Sequence, residues 1–126
     1  MQQITIPVLA VENGNKLAFC AYTRTQANVK ITLRGKSKTY WTAIKTNADD
    51  SLQNITGSTI GVNYENDDVL ELVIESSMSY PLQARTTISS ILDNGGKAVG
   101  HITNITVEDY TDRDFNDYLI TIYATK

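Results

Sequence analysis

From Ile4 to Tyr123 the chain repeats one pattern: short runs in which apolar and polar residues alternate, rich in Val, Ile, Thr and Tyr and broken by Gly, Asn and Asp. A period of two is the signature of pleated strand, and no stretch carries the 3.6-residue spacing of a long amphipathic helix. The pattern predicts strands over 4–11, 16–22, 27–33, 38–45, 59–64, 69–76, 82–92, 98–107 and 118–124. Between them stand turn formers, as in Glu12-Asn13-Gly14-Asn15, Arg34-Gly35-Lys36, Asn66-Asp67-Asp68 and Asp93-Asn94-Gly95-Gly96. Each supplies positive φ or a side-chain turn bond. Val29, Ile31 and Leu33 point one way and Lys30 and Thr32 the other, the mark of an antiparallel strand wet on one face. Val69-Leu70-Glu71-Leu72-Val73-Ile74 is apolar on both faces, as in a central strand or one covered by a neighbouring subunit. About nine short strands with regular turns predict an all-β fold, an antiparallel β-sandwich.

The 126 residues suit one such domain spanning 1–126, and no repeat, low-complexity tract or linker divides them. Against 14 Asp+Glu stand 11 Lys+Arg, with no basic stripe to neutralise phosphates, so nucleic acid is not an expected partner. The opening MQQITIPVLAV lacks a basic region, and Pro7 interrupts its short apolar run, so it reads as neither signal peptide nor membrane span. The expectation is a soluble chain, cytoplasmic or released without a recognisable signal peptide. The single cysteine, Cys20, makes no intramolecular disulfide and, within LAFCA, is expected to be a buried, inert thiol. Catalysis by Cys20 would need a His to activate it; the only one, His101, lies in no catalytic or zinc motif. Two Asn-x-Thr sequons, at Asn54 and Asn104, bear on a glycosylating secretory route alone.

Between the last two predicted strands the composition changes sharply. Glu108, Asp109, Asp112, Asp114, Asn116 and Asp117 place six oxygen-bearing acidic or amide groups in ten positions. Like charges so close repel, and a hard cation accepting six to eight oxygens at about 2.3–2.6 Å removes the repulsion. Calcium fits such a flexible, carboxylate-rich loop better than magnesium, and zinc would prefer the His or Cys that the loop lacks. The EF-hand pattern is not met: Asp117 stands where Gly is required and Tyr123 where the last Glu should be, and a strand-like run follows. The bland reading, a solvated acidic turn, stays open beside the metal reading.

At this loop the sequence resembles the bacterial soluble lectins that bind fucose and mannose through two calcium ions. Their run E-D-G-T-D-x-D-Y-N-D before the last strand corresponds here to E-D-Y-T-D-R-D-F-N-D followed by Y-L-I-T-I. Thr5-Ile6-Pro7, Ala18-Phe19, Thr25-Gln26 and the stretch 70–88 extend the likeness weakly over most of the chain. The resemblance implies calcium ligands at Glu108, Asp112, Asp114, Asn116 and Asp117, and at Asp109 a carboxylate that bonds a sugar hydroxyl. It implies a monosaccharide or glycan whose vicinal hydroxyls meet the ions. Two departures stand out. Ala21-Tyr22-Thr23-Arg24 occupies the place of an Asn ligand and a small polar loop, so Tyr22, Thr23 and Arg24 are expected to set specificity. Tyr110 replaces a Gly, either blocking the pocket or forming an apolar platform beneath a sugar ring. The family also closes its site with a partner subunit's C-terminus, whereas this chain ends Ala124-Thr125-Lys126.

The expected function is calcium-dependent carbohydrate binding rather than catalysis, because cation-bound carboxylates leave no separate nucleophile or base. The alternative is a structural or self-assembling sandwich in which calcium only stiffens a loop or a subunit contact. Homo-oligomerisation is expected through 69–74 or the last strand, both apolar on each face.

Overall fold

A computed structural model describes residues 1–57, 61–111 and 114–126. Among them there is no helix, and two antiparallel sheets face one another. The strands are β1 (Gln2–Pro7), β2 (Lys16–Thr23), β3 (Val29–Arg34), β4 (Thr39–Lys45), β5 (Gln53–Asn54), β6 (Val62–Asn63), β7 (Glu71–Ser76), β8 (Gln83–Leu92), β9 (Ala98–Glu108) and β10 (Tyr118–Thr125). One sheet runs β1-β7-β3-β4; the other runs β5-β2-β10-β9-β8, with β6 also paired to β2.

Alternation sets which side chains face inward. Val29, Ile31 and Leu33 of β3 and Leu72 and Ile74 of β7 meet Leu17 and Phe19 of β2, Ile120 and Ile122 of β10 and Ile105 and Val107 of β9 in one core. Phe19 stacks on Trp41 across the sandwich with ring centroids 4.8 Å apart, and the indole N–H donates to the Thr56 carbonyl. At full burial each large apolar side chain contributes about 1.5–3 kcal/mol, so this layer carries the fold.

The expected strands are found, with instructive changes at their ends. β1 stops at Pro7, which has no N–H to extend the ladder, and Val8 donates instead to the Leu70 carbonyl. Of the strand expected over 59–64 only Val62–Asn63 is formed; Thr59 and Ile60 lie outside the described residues. The two-residue β5 was not expected, since its sequence has no alternation to read. Cys20 corrects another expectation: it is half-buried on the opposite face of β2 from Phe19 and Ala21.

The second sheet is wider than the first. At its edge β8 pairs only with β9 among the described residues, and most of its ten side chains are exposed on both faces. By contrast Leu72, Val73 and Ile74 of β7 are buried within the single chain, with β1 on one side and β3 on the other. From Leu72 to Ile74 the doubly apolar stretch is thus a central strand, while Val69 before it stays exposed.

Candidate metal and ligand site

The acidic loop joins β9 to β10, adjacent central strands of the wider sheet. Their ladder runs to Val107 and Tyr118 and then opens, so residues 108 to 117 leave and re-enter the sheet at neighbouring points. This forces the loop's two ends together. Val107 faces the core, so Glu108, one step later, projects from the other face, where the returning loop covers it completely. Its carboxylate accepts the backbone N–H of Tyr110 at 2.9 Å through Oε2 and that of Phe115 at 3.1 Å through Oε1. Phe115 adopts a positive φ of 54°, which turns the chain back towards Glu108.

Carboxylate oxygens of Glu108, Asp114 and Asp117 come within 4.8 Å of one another. Burial raises the Asp117 carboxyl to about 8, helped by its hydrogen bond to the Glu108 carboxyl and opposed by the Asp109 N–H. A proton held between two carboxyl groups is what crowding demands when no cation balances them. An all-oxygen set of this kind, without nitrogen or sulfur, suits a hard divalent ion. Asn116 lies half-buried between Phe115 and Asp117. Asp112, the remaining expected ligand, lies outside the described residues.

Asp109 is placed differently from the sequence expectation of a carboxylate meeting sugar. It is 3% exposed and turned into the sandwich. Its Oδ2 accepts the Tyr118 hydroxyl at 2.7 Å and the Thr25 hydroxyl at 2.6 Å, and its N–H donates to Asp117 Oδ2 at 2.9 Å. Tyr118 OH also lies 2.8 Å from Ser76 Oγ, which carries the network across to the other sheet. The Thr25 hydroxyl in turn accepts the N–H of Ala27, whose carbonyl accepts the buried ammonium of Lys45. Burial holds the Lys45 ammonium below its ordinary range. Asp109 therefore ties three connections together beneath the loop. Thr25 and Tyr118 were not marked as site residues by sequence, and Lys45 and Ser76 gave no signal at all.

The segment expected to set specificity divides between the two faces of β2. Thr23 is buried, and its hydroxyl has no hydrogen-bond partner among the described residues. Tyr22 lies on the outer face, in a cross-strand row with Asn54, Leu119, Thr106 and Arg85 that runs under the loop. Arg24 is exposed, and its N–H donates to the Asp117 carbonyl at 2.7 Å. The Arg24 backbone thus adjoins the acidic loop at Asp117 and Tyr22 pairs with Leu119 two residues further on, while Thr23 is buried.

Aromatic side chains secure the loop from outside. The guanidinium of Arg85 sits 3.9 Å from the centre of the Phe115 ring, and Tyr110 meets Tyr80 edge-to-face at 4.7 Å. At the opposite end of the sandwich, a groove between Pro7 and Glu71 also contains carboxylates. There Asp67 accepts backbone N–H groups of Lys36, Asp68 and Val69 and the Tyr40 hydroxyl, so it braces turns.

The sequence matches no protein-family model and no curated protein. Solved structures share the fold. The C-terminal domain of the BC2L-C lectin from Burkholderia cenocepacia superposes with a TM-score of 0.69 at 17% identity, over 94% of this chain and 92% of that one. The mannose-binding lectin of Ralstonia solanacearum gives 0.64 at 18% identity over 98% and 96%. The Chromobacterium violaceum lectin CV2L, in complex with alpha-methyl-fucoside, gives 0.60 at 15% identity over 98% and 96%. At these identities the likeness establishes the β-sandwich architecture; among the described residues, no helix is long and apolar enough to cross a membrane.

Proposed function

We propose that this protein is a calcium-dependent carbohydrate-binding protein, a lectin rather than an enzyme, with its ligand held at the loop between β9 and β10. The observation that carries the reading is the convergence of Glu108, Asp114 and Asp117 within 4.8 Å. They converge in a fold shared with bacterial lectins whose names specify mannose binding or a bound fucoside. Glu108, Asp114 and Asp117, together with Asn116 and, as the sequence resemblance implies, Asp112, would hold calcium. The ion would supply open positions for a pair of vicinal sugar hydroxyls, which displace water from it.

The chain's own groups perform the remaining work. Glu108 is fixed by two backbone donors, so the first ligand is preorganised. Asp109 serves from beneath, holding β10 and the turn at Thr25 in register with the loop, and contact with the sugar falls to Tyr22, Arg24 and Tyr110 at the rim. Titration with methyl α-mannoside and methyl α-fucoside, in calcium and in chelator, tests the reading. Binding that appears only with calcium supports it; a protein that holds calcium yet binds neither these sugars nor any member of a glycan array refutes it.

A further inference from the structure

Among the described residues, the edge-to-face pair of Tyr110 and Tyr80 is an exposed aromatic contact bordering the acidic cluster. Tyr110 is 51% exposed and Tyr80 41%, so the pair covers only part of each ring. Neither residue belongs to the buried core. Tyr110 is nevertheless held in place. Its N–H is bonded to Glu108, and its ring rests against Tyr80 on the connection from β7 to β8. One residue therefore separates this paired aromatic surface from a proposed calcium ligand, to which Tyr110 is joined by one hydrogen bond.

A pyranose presents hydroxyls at its edges and a patch of C–H groups on one face. Ions gather the hydroxyls, whereas aromatic rings accept the C–H face, and a preordered ring loses little entropy in doing so. A single sugar anchored by two hydroxyls on an ion offers its next unit to whatever flanks that ion. Resting on the function proposed above, we infer that Tyr110 and Tyr80 form a subsite for the apolar face of the sugar unit linked to the ion-held one. The preferred ligand is then an oligosaccharide rather than a free monosaccharide.

The test compares, in calcium, the affinity of the whole protein for methyl α-mannoside and for mannose disaccharides of each α-linkage. Wild type should hold at least one disaccharide about three- to tenfold more tightly than the methyl glycoside, the range expected of one stacking contact. That ratio should fall to about one in Tyr110→Ala and in Tyr80→Ala, and should survive in Tyr110→Phe, which keeps the ring. Tyr80→Ala lies outside the loop, so it decides the question even where Tyr110→Ala disturbs calcium binding. A ratio of one in wild type, or an undiminished ratio in Tyr80→Ala, overturns the subsite while leaving the lectin reading intact. Absence of calcium-dependent binding to every sugar tried overturns both.

Discussion

At the scale of single residues, the site depends on carboxylates whose surroundings differ. Asp114 is exposed and lies outside every strand, so Asp114→Ala should abolish calcium binding and leave the calcium-free fold largely intact. Calorimetry showing unchanged calcium affinity would reject the ligand assignment. Tyr118→Phe should act in the opposite sense. It removes a hydroxyl shared by Ser76 and the buried Asp109 carboxylate, and should cost about 1–3 kcal/mol in denaturant unfolding whether or not calcium is present. Asp117 supplies a pH signature. Its folded-state pKa of about 8 lies above the ordinary carboxylate value, so the folded, calcium-free protein retains a proton that the unfolded chain releases. That contribution is complete below about pH 4 and declines as pH rises towards 8. Melting in chelator should therefore weaken across this interval, and in saturating calcium the decline should shrink, because the cation replaces the proton. Parallel melting curves in the two conditions would contradict a shared site.

At the scale of elements, the β9–β10 pair is the frame on which the loop hangs, and each end of it is constrained. At the far end Gly100 lies so close to β10 that a Cβ would stand 2.4 Å from the Ala124 carbonyl oxygen and 2.8 Å from Thr125 Cα. Both contacts are with backbone, which cannot swing aside. Gly100→Ala should destabilise the fold by about 1–3 kcal/mol, the usual range for overpacking, as measured by urea unfolding. At the near end the loop gathers like charges whose repulsion, under the proposed function, a bound cation relieves. Calcium at a hundredfold excess over its dissociation constant should stabilise the protein by about 2.7 kcal/mol, and magnesium by much less because it dehydrates reluctantly. Equal melting temperatures with calcium and with chelator would refute this.

At the scale of the whole molecule, the two sheets differ in width, and that difference offers a further candidate surface for the expected self-association. The sequence places it on 69–74 or the last strand; of these, Leu70 and Leu72 to Ile74 are buried within the single chain, while Val69 and Tyr123 stay exposed. The uncovered element is β8, with Ile88 53% and Leu92 59% exposed. Edge strands are commonly protected by short length, Pro or inward charges. β8 runs for ten residues with Arg85 as its only charge. Antiparallel pairing of two copies about a two-fold axis at Ile88 would set Ile88 against its own copy and Arg85 against Ile91, without opposing like charges. Light scattering at micromolar concentration should show an oligomer that Ile88→Lys, which brings two cations side by side, returns to monomer. A monomeric wild type would dispose of this expectation.

What the sequence determined by itself is whatever a local period or a local charge density can encode. The alternation in Val29 to Leu33 specified strand and inward face together, because successive side chains in a pleat must point to opposite sides. Six acidic or amide groups between 108 and 117 marked the loop, because their repulsion is intrinsic to the segment. The tertiary structure decided everything that depends on which distant strands become neighbours. Asp109 and Glu108 are adjacent in sequence and both acidic, yet strand geometry sends one beneath the sheet to Thr25 and Tyr118 and the other outward to Asp114 and Asp117. Tyr80 reaches Tyr110 only because β8 follows β7 from one sheet to the edge of the other. No local pattern carries such pairings, since their free energy comes from contacts between residues tens of positions apart, formed only once the core has closed.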